Sequence, residues 1–318
     1  MRIVSLLPSA TEIIRRLDAE GCLVACTHEC EAPDSVPVLI IEPTGSEPRT
    51  RDAERLVRDP APPDEPNYML DTHRLLETKP DLIIFGSERT DATALEQAVG
   101  RAAAGGGPAP ALLALRERTI EDVLDNVLRI GGAIGLEARA LDLVMSLRGA
   151  LFSAQEFVPP FASHRPVVGF IEWAQPLVVA GHWRVQMIER AGGVHPWNPT
   201  RPGPGSGAAA GPQQAQRLAG AAIAVTPEAF AALGPEMVVV APRGASLDEA
   251  FQVGEALLEQ PWFESLPAAV HGRVAVVDGR RCFHCPGPGI VDGLRWLVGW
   301  IQDRPHLMDA IEWKPLTA

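Results

Sequence analysis

Two short stretches concentrate the side chains best able to hold a metal. Thr27-His28-Glu29-Cys30 sets an imidazole two positions before a thiol, and Cys282-Phe283-His284-Cys285 sets one imidazole between two thiols. Thiolates and neutral imidazoles are the usual ligands of zinc, so His28, Cys30, His284 and Cys285 form a candidate metal set. Their spacing completes none of the usual paired-ligand patterns, and loop residues without a metal are the plainer reading. Glu29 and Glu88 are the carboxylates placed to act as a general base. The chain has no G-x-S-x-G, no Walker loop, no dinucleotide fingerprint and no H-E-x-x-H. No catalytic residue is assigned and an enzyme is not expected.

A second group suits binding rather than reaction. Trp173, His182, Trp183 and Phe283 combine aromatic faces with imidazole, and Ser9, Glu29, Glu88 and Arg243 add polar contacts. Aromatic surface with a few polar groups fits a large, flat, amphipathic ligand. For Trp183 the alternative is an ordinary core aromatic.

The elements that must position these residues alternate strand and helix. Ile3–Leu6, Leu23–Thr27, Val38–Ile41, Leu82–Phe85 and Ala111–Leu115 read as strands of a first α/β lobe, residues 1–136. The spacing predicts helices over 10–17, 69–78, 91–103 and 119–134, with Ser9 as N-cap of the first and Glu12 three positions on. Residues 42–67 are polar and Pro-rich, a loop or flap. Glu137 to Phe157 has no Pro and apolar residues at Leu141, Val144, Met145, Leu151 and Phe152, which predicts one long helix linking two lobes. The second lobe, 158–318, holds strands at Val167–Glu172, Leu177–Ala180, Met237–Val240 and Val274–Val277. Its helices are expected at 184–191, Leu247–Leu258 and Ile290–Ile301, with a low-complexity insertion at 199–220 that reads as mobile. Such alternation predicts mostly parallel, Rossmann-like sheets, whose ligands sit beyond the carboxyl ends of the strands, here in a cleft between the lobes.

Composition narrows the class. A chain of 318 residues with 46% hydrophobic residues has room for two cores. A formal charge of −12 argues against nucleic acid as a partner, because phosphate binding needs clustered Lys and Arg. No run is long enough for a membrane span. The chain enters the strand-like Ile3-Val4-Ser5-Leu6-Leu7 within two residues, without a basic, apolar and small-residue leader. That start and an odd count of five cysteines lead to the expectation of a cytoplasmic, reducing location.

The motifs resemble a known family in order from residue 1 to about 302: Ser5-Leu6-Leu7-Pro8-Ser9-Ala10-Thr11-Glu12, Thr27-His28-Glu29-Cys30, Lys79-Pro80-Asp81-Leu82-Ile83, Glu172-Trp173, Ala180-Gly181-His182-Trp183, Pro286-Gly287-Pro288 and Val291-Asp292-Gly293-Leu294. Together they are similar to the cobalamin-binding branch of the TroA-like substrate-binding proteins. The family pattern is departed from at Gly86-Ser87-Glu88-Arg89, Pro242-Arg243-Gly244-Ala245 and His284-Cys285, all loop positions. The resemblance implies two α/β lobes joined by a single helix, and a corrinoid or iron chelate passed to an ABC permease. It implies a corrinoid, cobalamin-like ligand against Trp173, His182, Trp183 and Phe283, with Ser9, Glu29, Glu88 and Arg243 as polar contacts and His182 or His284 at the cobalt. The related metal-binding branch makes zinc, held by His28, Cys30, His284 and Cys285, the alternative.

Overall fold

In the computed structural model the described residues are 1–39, 72–86, 93, 95–97, 99–100, 109–203 and 217–317. The flap at 42–67 and Glu88 lie outside them. Contacts divide the chain into two units. The first takes residues 1–39, the described residues of 72–117, and Asp122–Leu147; the second takes Arg118–Glu121 and 148–317.

The first unit is built on a four-stranded parallel sheet. Ile3–Ser5 (β1), Leu23–Cys26 (β2), Leu82–Gly86 (β3) and Ala111–Leu115 (β4) stand in the order β2-β1-β3-β4. Leu82-Ile83-Ile84-Phe85-Gly86 is buried along its whole length, as a central strand covered on both faces must be. Val4, Ala25, Leu75, Ile83 and Phe85 pack into one core cluster. Val38 makes a single bridge to Cys26, and the rest of the strand expected at 38–41 is described only as far as Leu39.

The helix Pro8–Arg16 (α1) corrects the capping expectation. It begins two residues earlier than foreseen, with Pro8 in its first turn and Leu7 at the N-cap without a side-chain cap. Proline fits that position because its φ is preset for the helix and its missing N–H would have no partner there. Ser9 is therefore inside the helix, and its hydroxyl donates to Glu117 Oε1 instead of capping. Thr72–Glu77 (α2) and Ile120–Ala133 (α3) follow.

Glu137–Gln155 (α4) forms one 19-residue helix, and Leu147 and Arg148 are where the chain passes from the first unit into the second. Its buried stripe is Ala140, Val144, Leu147, Leu151 and Ala154, while Leu141, Met145 and Phe152 are 54%, 63% and 68% exposed. Three of the five apolar residues that predicted the helix thus lie on its outer face. The inward face is read from alanines as well as from large residues.

The second unit is organised by a six-stranded mixed sheet. Val168–Trp173 (β5), Val178–Val179 (β6), Ile223–Ala224 (β9), Met237–Val240 (β10), Val274–Val277 (β11) and Trp313–Leu316 (β12) stand in the order β12-β11-β10-β5-β6-β9. β5, β10 and β11 are parallel; β12, β6 and β9 run antiparallel to their neighbours. β12, Trp-Lys-Pro-Leu, is not among the expected strands. It is an edge strand, where a missing N–H can face outward without breaking the ladder. Arg201–Pro202 (β7) and Arg217–Leu218 (β8) pair as a short ribbon, so the flanks of the expected low-complexity insertion are ordered, while 204–216 lie outside the described residues.

Trp183–Arg190 (α5), Pro227–Ala231 (α6), Leu247–Leu258 (α7), Pro261–Glu264 (α8), Pro267–Val270 (α9) and Ile290–Ile301 (α10) complete the unit. α7 opens with a full capping box, Ser246 and Glu249 each satisfying the other's backbone. α10 buries Leu294, Trp296, Leu297 and Val298 completely. Among the described residues no helix is long and apolar enough to cross a membrane.

Candidate functional site

In the second unit the carboxyl ends of β5, β10 and β11 lie side by side, and one buried polar cluster occupies them. Glu172 is the next-to-last residue of β5, and its side chain is fully buried. Its Oε1 accepts from Arg184 Nε at 2.6 Å and from the Gly181 N–H at 3.3 Å, and its Oε2 faces an Arg243 guanidinium nitrogen at 3.4 Å. Arg184, in the first turn of α5, also donates to the Phe283 carbonyl at 3.2 Å. His284, on the loop after β11, pairs through Nε2 with the Ala241 carbonyl at 2.7 Å, on the loop after β10. Four side chains thereby tie three separate loops to the end of β5.

The electrostatics follow from that crowding. Burial alone would push the Glu172 carboxyl up, and the Arg184 guanidinium with its neighbours outweighs it and holds the group ionised below the usual range. Burial, reinforced by the Arg184 cation, pushes the His284 imidazole down to about 3. His284 is thus neutral, with its Nε2 proton on Ala241 and its Nδ1 enclosed without a hydrogen-bond partner. Neither nitrogen is turned outward to a metal.

Glycines let the loops meet. A Cβ on Gly279 would lie 1.8 Å from the Pro242 carbonyl oxygen, and one on Gly181 would lie 2.2 Å from the Ala222 nitrogen. Gly279 donates to Ala245 at 2.9 Å and accepts from Gly244 at 3.2 Å, which fixes the Arg243 loop against the β11 loop. Gly279→Ala is expected to displace backbone and cost about 1–3 kcal/mol, as overpacking does. A melting temperature unchanged within error would show that the two loops are not held by this contact.

The first unit presents its own polar group at the carboxyl ends of β1 and β2. Thr11 donates to Ser5 Oγ at 2.8 Å, and Ser5 donates to the Leu7 carbonyl at 3.0 Å. Cys30 Sγ lies 3.2 Å from Thr27 Oγ1 and 3.8 Å from the Ser5 carbonyl. A hydrogen bond from Cys26, with others from Thr11 and Thr27, holds the Cys30 thiol down to about 6 despite its burial. The same contact and burial push Cys26 up.

The residues expected at a site therefore fall into distinct classes. Arg243 belongs to the buried cluster and keeps its side chain 27% exposed. His182 is half-buried at the N-cap of α5 with φ +53°, and its N–H donates to the Gly220 carbonyl at 2.8 Å. Trp173 ends β5 and is 8% exposed. Trp183 and Phe283 are interior: Trp183 packs under the Arg184 guanidinium, and Phe283 stacks edge-on with Phe170 and Trp296. Their rings brace the loops from beneath. Ser9 is buried against Glu117, Glu29 is half-buried and His28 is exposed.

His28 and Cys30 belong to the first unit, His284 and Cys285 to the second, and among the described residues no three His, Cys, Asp or Glu side chains converge as a metal site. Sequence reasoning undervalued Glu172 and missed Arg184. The signal was present in Val-Gly-Phe-Ile-Glu-Trp, where a carboxylate in a buried strand demands a cationic partner.

This geometry can be set beside known proteins. No curated protein matches the chain. A periplasmic heme-binding protein from Pseudomonas aeruginosa superposes with a TM-score of 0.66 at 21% identity, covering 100% of this chain and 95% of that one. The periplasmic vitamin B12-binding protein BtuF of Vibrio cholerae gives 0.64 at 15% identity, covering 96% and 97%. The periplasmic heme-binding protein HutB of Vibrio cholerae gives 0.63 at 19% identity, covering 98% of each. At such identities the likeness is one of fold. The expected cytoplasmic location is overturned by these matches: it rested on the character of the first few residues, whereas the matched proteins are periplasmic. The family model described as periplasmic binding protein matches residues 3–280, and the chain belongs to that family.

Proposed function

We propose that the protein binds a flat metal chelate of tetrapyrrole size, a corrinoid or a heme, at the carboxyl ends of its parallel strands and delivers it to an ABC permease. The observation that carries this reading is the cluster of Glu172, Arg184, Arg243 and His284, which uses its polar groups to hold three loops at one strand end. Rigid loops at that place suit recognition of a bulky ligand. Solved structures of the same fold include heme and vitamin B12 binders, whose ligands share a planar macrocycle around a metal. Arg243 and His182, both part-exposed beside that cluster, are the residues of the second unit expected to contact it.

The test is retention of a chelate through desalting. Protein incubated separately with hydroxocobalamin and hemin is expected to keep near-stoichiometric cobalt or iron, with a Kd of about 1 µM or tighter. Loss of both metals from folded protein would overturn the reading.

A further inference from the structure

The second unit holds a cavity of about 670 Å³ that the chelate reading does not use. Glu236 and Arg273, which line it, directly precede β10 and β11, so it lies at the amino ends of these strands, opposite the Glu172 cluster. Its volume falls within the range of small-molecule sites, roughly 300–1,000 Å³. Val158, Pro160, Met237 and Ile301 give it apolar wall, while Arg165 and Arg273 bring two cations and Glu236 and Asp303 two anions. The formal charges of these four cancel. Such a wall gives little preference to a bare anion or a bare cation.

Most of the polar wall is already engaged. Arg165 donates to the backbone carbonyls of Glu189, Gly192 and Gly193, where α5 ends. Glu236 accepts from the Val167 N–H at 3.1 Å and pairs with His164 at 2.8 Å. Glu189, a further acid of the wall, accepts from the Thr200 N–H at 2.9 Å and from the Thr200 hydroxyl. Arg273 and Asp303 differ. Arg273 Nη1 donates to Asp303 Oδ1 at 2.8 Å and Nη2 to the Trp300 carbonyl at 2.8 Å, and the guanidinium lies 4.6 Å from the Trp300 ring centroid. Those contacts fix the guanidinium, yet Arg273 Nε and Asp303 Oδ2 make no hydrogen bond among the described residues. An open donor and an open acceptor therefore sit on neighbouring side chains of an otherwise satisfied, partly apolar wall.

We infer that this cavity binds a small amphipathic zwitterion, a free amino acid with an apolar side chain. The α-carboxylate meets the Arg273 guanidinium, whose planar fork suits a carboxylate, and the α-ammonium meets the Asp303 carboxylate. Arg273 and Asp303 are themselves in contact, so they match a ligand whose opposite charges are held one carbon apart. A longer dipole, such as a peptide, does not fit that spacing. Each ligand charge answers one protein charge, and no net charge is buried. An ion pair with the acid 76% exposed contributes little by itself. Burial of the ligand's side chain against Met237 and Ile301 supplies the remaining affinity.

Equilibrium dialysis of the full-length protein against L-leucine, L-methionine and L-phenylalanine tests the inference. At least one is expected to bind one-to-one with a Kd of about 100 µM or tighter. Its analogues lacking the amino or the carboxyl group, isocaproate and isoamylamine in the case of leucine, are expected to bind about tenfold more weakly, the effect of one lost charge-assisted hydrogen bond. Asp303→Asn keeps the shape of an exposed side chain and is expected to leave the melting temperature within error while weakening the amino acid about tenfold. Failure of all three amino acids to bind, equal affinity for the analogues, or parental affinity in Asp303→Asn would each overturn the inference.

Discussion

Glu172→Ala is expected to cost about 4 kcal/mol of folding stability, the largest effect of any single substitution considered for this protein. The carboxylate is fully buried, and Arg184, with a side chain 6% exposed, makes its 2.6 Å contact there. Removing the acid leaves a desolvated guanidinium with the Phe283 carbonyl as its remaining acceptor among the described residues. Breaking a buried pair from one side typically costs about 3–5 kcal/mol, because the surviving charge is stranded. The same reasoning gives a second result for the pair. Glu172→Leu with Arg184→Met, which removes both charges and keeps the volume, is expected to recover most of the loss. Urea unfolding of the two variants beside the parent measures both. A cost below about 1 kcal/mol for Glu172→Ala would mean that the cluster does not anchor the loops.

Acidification is expected to weaken the fold through His195. This imidazole is 1% exposed, its Nδ1 pairs with the Val168 carbonyl at 2.9 Å, and burial pushes it down to about 4. An unfolded histidine takes up its proton near pH 6.5. Between those values the unfolded chain binds a proton that the native protein refuses. The contribution is therefore complete above pH 6.5 and is lost as the pH falls towards 4. At about 1.4 kcal/mol per pK unit the loss reaches about 3 kcal/mol. His284 acts in the same direction. Urea midpoints at pH 7, 5.5 and 4.5 should fall in step, and His195→Gln should flatten the decline even if it lowers stability at pH 7. A variant that declines as steeply as the parent would locate the acid sensitivity elsewhere.

Much of the fold could be read from local pattern. Leu82-Ile83-Ile84-Phe85 and Met237-Val238-Val239-Val240 are short apolar runs between polar turns, and both are buried central strands. The helices Leu247–Leu258 and Ile290–Ile301 and the strands Ala111–Leu115 and Val274–Val277 have the foreseen bounds, since charge, capping and apolar period agree there. Reading failed where a residue's partner is distant in sequence. Ser9 looked like a helix cap until Glu117, 108 residues away, claimed its hydroxyl. Trp183 and Phe283 read as surfaces for a ligand because their stretches fall at the carboxyl ends of strands, yet the rings turn inward to Arg184 and Trp296. The polar cluster unites residues from 172 to 284, a span that no motif spacing encodes. Compartment was misjudged for a different reason: cysteine count and opening residues are weak witnesses beside a family match over 3–280.

Pro315 gives the second sheet a terminus as well as an edge. It sits in β12 opposite Ala275, and among the described residues β12 has no partner on its other side within the sheet. A strand approaching from another molecule would meet a row lacking one N–H and carrying the Lys314 ammonium beside it, features that make intermolecular β-pairing unfavourable. The same short segment that completes the sheet thus acts as a safeguard against aggregation.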